Sequence, residues 1–71
     1  MTEMRKVESS NLDAIGYDRD LKRLIVTFKN GRTYRYQDVE ESVFKDMLEA
    51  DSKGKFFSMN IKGQYDFEKE G

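Results

Sequence analysis

Asn30-Gly31 sits between two β-rich stretches in residues 21–37, and this arrangement constrains the chain more than any other feature. Leu24, Val26 and Phe28 alternate with Arg23, Ile25 and Thr27, and Thr33, Tyr34, Arg35 and Tyr36 follow the pair. An Asn-Gly pair between two such runs predicts a β-hairpin. A two-residue loop would set Val26 opposite Arg35 and place a guanidinium on the face of Leu24 and Phe28. A three-residue loop with Gly31 left-handed avoids that, because burying a charge costs far more than a bulge. The reading therefore collects Leu24, Val26, Phe28, Tyr34 and Tyr36 on one face, with Arg35 on the other. It pairs Val26 with Tyr36 and Phe28 with Tyr34.

Residues 12–17 read as a further strand, with Ile15 and Tyr17 on one face, and Asp18-Arg19-Asp20 make the connection to the hairpin. Asp38 is placed to cap a helix, with Glu41 three residues on to complete a capping box. Glu40 and Glu41 suit the positive end of that helix. Val39, Val43, Phe44, Met47 and Leu48 then recur at helical spacing and predict a buried stripe. Ser52 is a cap for a second, shorter helix with Phe56, Phe57 and Ile61 inward, Met59 at the margin and Gly63 at its end. Tyr65 and Phe67 are expected to dock on the core. The fold predicted is α+β: a three-stranded antiparallel sheet, β-β-β-α-α, with two C-terminal helices packed on one face. Residues 1–6 and 68–71 are read as flexible tails around one domain, 7–67.

At 71 residues the chain has room for one small core, since folding at this size buries only about 60% of the unfolded surface. Histidine, cysteine, proline and tryptophan are absent. That removes Cys/His zinc sites, disulfides and His-based nucleophile devices, and no calcium-loop spacing is present. No enzyme activity, metal or cofactor is expected. No apolar run is long enough for a membrane span, and 1–10 has no signal-peptide character, so the protein is read as soluble and cytoplasmic.

Thirteen bases nearly balance fourteen acids, but they are segregated. Residues 19–35 carry Arg19, Lys22, Arg23, Lys29, Arg32 and Arg35 against Asp20 alone. Residues 38–51 reverse this, with six acids against Lys45, and 52–63 return Lys53, Lys55 and Lys62. Such a pattern is either a solvated surface or a dipolar molecule with one anion-attracting face. Ser52-Lys53-Gly54-Lys55 offers a hydroxyl, free N–H groups and two ammonium groups, although the Walker A order is missing. Asn60 and Lys62 lie about two turns on and either extend such a site or merely cover the helix. Ser9 and Ser10 either bond locally to backbone or hold a phosphate. Tyr34 and Tyr36 are either half-buried sheet residues or a stacking platform.

Several of these features occur together in a fixed order. Ser9-Ser10, then Ile15-Gly16-Tyr17, then Phe28, Gly31, Tyr34, Arg35 and Tyr36, and finally Ser52-Lys53-Gly54-Lys55-Phe56 with Asn60 and Ile61 make the chain resemble the KTSC domain. The resemblance covers residues 7–65. That family takes its name from a domain at the C-terminus of some lysyl-tRNA synthetases and also includes free-standing bacterial and phage proteins. Glu40 stands where the family often has proline, and both suit a first helical turn. The resemblance implies RNA binding by association. Three functions remain open: binding RNA or another polyanion through Arg35, Lys53, Lys55 and Lys62; holding a small phosphorylated, nucleotide-type ligand; or contacting another protein through a sheet edge or the acidic helix. An isoelectric point near 5.4 weighs against a generic polyanion binder.

Overall fold

The hairpin closes through the three-residue loop Lys29-Asn30-Gly31. The Phe28 N–H donates to the Arg32 carbonyl at 2.8 Å and the Gly31 N–H to the Phe28 carbonyl at 2.9 Å. Gly31 takes φ +90°, which only glycine adopts without strain. The Asn30 side-chain oxygen accepts the Arg32 N–H at 2.9 Å. In this computed structural model, which describes residues 3–70, the two strands are β3 (Arg23–Phe28) and β4 (Thr33–Tyr36). Their register sets Leu24 opposite Tyr36 and Val26 opposite Tyr34. The expected pairs, Val26–Tyr36 and Phe28–Tyr34, are off by two residues. A loop of three residues forces Phe28 opposite Arg32, and a shift of two leaves every side chain on its predicted face.

The sheet has five antiparallel strands, not three. Ahead of the hairpin lie β1 (Met4–Lys6) and β2 (Leu12–Asp18), and β5 (Phe67–Glu70) follows the helices. The spatial order is β1-β2-β3-β4-β5. The two added strands lie where no strand is predicted, β1 within the expected tail 1–6 and β5 running from Phe67 into the expected tail 68–71. Both are exposed along their whole length, so no alternation of apolar residues announces them. They hold the edges through backbone pairing, Met4 opposite Gly16 at one side and Phe67 opposite Tyr36 at the other, and Phe67 adds ring contacts with Tyr34 and Tyr36. A bulge at Asp13 in β2 turns Leu12 to the same face as Ile15.

After β4 the chain turns over one face of this sheet. The helix α1 spans Glu41–Glu49, later than predicted, and Asp38 does not cap it. Asp38 is left-handed at φ +57°, and Glu40 stands at the N-cap position with no side-chain hydrogen bond. Val39 explains the delay. Fully buried, it donates its N–H to the Lys22 carbonyl at 2.9 Å and accepts the Tyr17 hydroxyl at 2.5 Å. Those bonds tie Val39 to the β2–β3 corner, so the helix starts only beyond it. Glu40 and Glu41 pair instead with Lys22 (3.7 Å) and Arg19 (2.9 Å).

The second helix, α2 (Lys53–Phe56), begins at Ser52, whose hydroxyl accepts the Lys55 N–H at 3.2 Å. It runs directly into a π-helical turn, Phe57–Ile61, in which the Lys62 N–H reaches back to the Phe57 carbonyl. Gly63 at φ +79° ends it. The core forms between the layers from Leu12, Ile15, Leu24, Val26 and Tyr36 of the sheet and Val39, Met47, Phe57 and Ile61 above it. Burying each large aliphatic of this set is worth roughly 1.5–3 kcal/mol. Among the described residues, no helix is long and apolar enough to cross a membrane.

A Cβ built on Gly31 meets nothing within 4 Å, so replacing it tests backbone strain alone. Gly31→Val is expected to cost more than about 1 kcal/mol in chemical unfolding, and Gly31→Asn clearly less, because asparagine tolerates the left-handed region. Equal costs for the two would contradict the turn geometry.

Candidate nucleic-acid interface

The free end of the β3–β4 hairpin lies against the π-helical turn. Phe28 meets Phe57 edge-on, with ring centroids 5.3 Å apart, and Tyr36 meets the same ring at 5.5 Å. These contacts divide the surface into two neighbouring clefts. The first, of about 510 Å³, is polar: Ser10, Asn11, Lys29, Asn30, Ser58 and Lys62 surround the edges of Phe28 and Phe57. The second, of about 390 Å³, is aromatic. Its walls are Phe28, Tyr34, Tyr36, Phe57 and Phe67, and Asn30, Arg32 and Lys62 rim it. Phe28, Asn30, Phe57 and Lys62 belong to both.

The wider helical turn explains how Lys62 arrives there. Phe57 and Ile61 both point inward from this turn, and Lys62 follows it out beside the hairpin; such turns recur at functional sites. Phe67 completes the aromatic wall from β5. It lies 5.4 Å from Tyr34 and 5.5 Å from Tyr36, yet remains 55% exposed.

No carboxylate lines either cleft, and Lys29, Arg32 and Lys62 form no ion pair among the described residues. A third cleft, beside the β2–β3 loop, has the opposite character, with Glu3, Asp18, Asp20 and Glu41 around Arg5 and Arg19. The carboxylates around that cleft and the cations at the hairpin tip thus lie on different parts of the surface.

Of the residues singled out from sequence, Lys62, Ser10, Tyr34 and Tyr36 line these clefts. The others lie elsewhere. Arg35 occupies the sheet face away from the helices and pairs with Glu70 at 2.9 Å. The Lys53 ammonium donates to the Ala50 carbonyl at 3.1 Å, at the C-terminal end of α1, and Lys55 is exposed outside both clefts. Asn60 donates to the Phe56 carbonyl. Ser9 accepts the N–H groups of Asn11 and Leu12, both at 3.3 Å, so it holds the turn into β2. Its hydroxyl lies 3.1 Å from where a Cβ on Gly54 would stand, a contact tighter than most Cβ atoms make. Sequence reasoning did not single out Asn11, Lys29, Asn30, Arg32, Ser58 or Phe67 as site residues. Lys29 and Arg32 were visible as part of the basic run, whereas Ser58 carries no sequence signal.

The family comparisons agree with this fold. The KTSC domain profile matches residues 8–65. The chain belongs to the KTSC domain family. A KTSC domain protein from Yersinia pestis, solved by crystallography, superimposes over the whole of both chains with a TM-score of 0.94 at 38% identity. A Tsukamurella paurometabola protein is 40% identical over 87% of this chain and 92% of its own length. A lysine–tRNA ligase of Nostoc punctiforme is 36% identical over 89% of this chain, which corresponds to 11% of the ligase.

In this KTSC chain the central Tyr-x-Tyr splits its two rings by burial. Tyr36 is 3% exposed, and burial, with Tyr34 beside it, pushes its phenol up to about 12. Burial and the nearby Glu40 also raise Tyr17. Both phenols stay neutral donors at ordinary pH. Because the unfolded chain releases the Tyr36 proton near pH 10 and the folded chain only near 12, stability is expected to fall as pH rises through that window. Tyr36→Phe should flatten that fall in urea titrations at pH 9 to 12. An unchanged slope would show that Tyr36 titrates normally.

Proposed function

We propose that this KTSC chain is a non-enzymatic binding module for single-stranded RNA. Its working surface is the pair of clefts between the hairpin tip and the π-helical turn. One observation carries the reading: three cations, Lys29, Arg32 and Lys62, that form no ion pair among the described residues border an open aromatic wall with no described carboxylate in its lining. Cations that track a backbone beside rings that stack bases are the ingredients of single-strand recognition. A duplex hides its base faces and would offer the aromatic wall nothing. The presence of a similar segment in lysine–tRNA ligases supports the reading, since those enzymes act on tRNA. A cytoplasmic setting fits it. The anion site proposed is thus Lys29, Arg32 and Lys62 with Ser10, Asn11, Asn30 and Ser58. Phe67 and the half-buried Tyr34 supply stacking, with the buried Tyr36 behind them.

A second reading, a pocket for a small phosphorylated ligand, has one observation in its favour. Both clefts fall in the size range of small-ligand sites. Salt distinguishes the two, because a strand releases counterions along its length and a single phosphate does not.

The test is fluorescence anisotropy with a labelled single strand of about ten nucleotides at low salt. Lys29→Glu with Lys62→Glu is expected to weaken binding by at least about tenfold, with a melting temperature close to that of the unmodified protein, because both side chains are exposed. Arg35→Glu, on the opposite face, should change affinity little. Binding that survives the Lys29/Lys62 change, or no binding of strand or nucleotide by the unmodified protein, would overturn the proposal.

A further inference from the structure

We infer that the two clefts act as one two-nucleotide unit, in which one base stacks in the aromatic cleft, the next enters the polar cleft, and the phosphodiester between them lies on Lys62. The inference rests on the single-strand reading and specifies its ligand.

Three features of the surface support it. Lys62 lines both clefts, whereas Arg32 borders only the aromatic one and Lys29 only the polar one. Cations and clefts thus alternate, as phosphates and bases do along a strand. The partition between the clefts, Phe28 and Phe57, is packed into the core cluster and fixed edge to face at 5.3 Å. A ligand that fills both clefts must therefore cross over the partition, where Lys62 is the cation common to the two. Finally, the clefts differ in chemistry. Phe67 lies tilted by 35° to Tyr34 and 39° to Tyr36 and is more than half exposed, so a ring face remains open for a base. The polar cleft offers the amides of Asn11 and Asn30 and the hydroxyls of Ser10 and Ser58, which suit a base edge or a ribose. The Asn30 side-chain oxygen is already held by the Arg32 N–H, which leaves its NH₂ group to donate.

Two bases joined by a phosphodiester occur in a free dinucleotide and in a strand, and the experiment separates these sources. Calorimetric titrations would compare adenosine monophosphate, the dinucleoside monophosphate ApA, a single-stranded oligoadenylate and an RNA duplex of equal length. ApA is expected to bind at least about tenfold more tightly than the mononucleotide, because the second base binds intramolecularly. Lys62→Gln and Phe67→Ala should each bring ApA down to the affinity of the mononucleotide. Both side chains are exposed, and thermal melting verifies that each variant folds. Equal affinities for the mononucleotide and ApA in the unmodified protein would overturn the two-nucleotide unit and leave the single-strand reading standing. So would an ApA advantage that persists in both variants. An oligoadenylate that binds more tightly than ApA supports a polymer ligand, and equal affinity overturns the polymer in favour of a free dinucleotide. Duplex binding as strong as that of the strand would overturn the inference and the single-strand reading together, as would no binding of any of the four.

Discussion

The left-handed backbone at Gly31 sets the register from which the rest of the molecule follows. It closes the hairpin so that Phe28 faces Arg32, and that closure puts Leu24 against Tyr36 and Val26 against Tyr34. A slip of one residue would send Arg35 into the core and all the aromatic rings of β4 into solvent. With the register as it is, Tyr36 supports Phe57 from below, and Phe57 in turn seats the π-helical turn. The same closure leaves Lys29 and Arg32 at the hairpin tip, beside Lys62. The core and the candidate site are two consequences of one turn.

A second constraint decides which charges stay available. The Val39 corner holds the start of α1 near the β2–β3 loop, and there Arg19 and Lys22 find Glu41 and Glu40. Exposed pairs of this kind add at most about 1 kcal/mol each to stability. Their larger effect is on the field, since they neutralise bases that the linear charge map counted as free. Arg35 is neutralised in the same way by Glu70, because β5 lies alongside β4. Lys53 is drawn to the end of α1. What remains is a smaller basic surface than the sequence suggests, and a more local one.

What could be read in the sequence was what neighbouring residues decide among themselves. The turn at Gly31, the cap at Ser52, the stop at Gly63 and the inward stripe of α1 depend on a few adjacent positions, and each lies where the spacing placed it. Asp38 shows the limit of such reasoning. Its capping box is a sound local motif, yet burial of Val39 and its bonds to Lys22 and Tyr17 displaced the start of the helix. β1 and β5 were invisible for a related reason: their stability comes from an edge to pair with, and neither shows a repeating apolar alternation, Phe67 being the lone ring that β5 packs on the sheet. The candidate site was half legible. Lys62 and the two tyrosines stood out, but the partners of Lys62 come from 29–32 and from Phe67, joined to it only by the fold. Arg35 and Lys53 were attractive as isolated cations, and their contacts with Glu70 and Ala50 appear only in three dimensions.

An acidic protein with a basic cleft is physically consistent, and the combination says what kind of ligand suits it. The Debye length at physiological salt is about 8 Å, and the molecule measures 28 Å along its longest axis. A phosphate at the hairpin tip therefore feels Lys29, Arg32 and Lys62 far more than the carboxylates beside the β2–β3 loop. At longer range the picture reverses, because the net charge of −1 gives a polyanion no general attraction. Recognition that begins only at contact cannot depend on charge alone. On the proposed reading it would require the aromatic wall, where Tyr34 and the half-exposed Phe67 would reward a ligand that brings a free base face as well as a phosphate. A phosphate-rich duplex meets only the first requirement, and an apolar ring without charge only the second. On that proposed reading, the arrangement would select for unpaired nucleotides by combining two weak terms, neither of which suffices by itself.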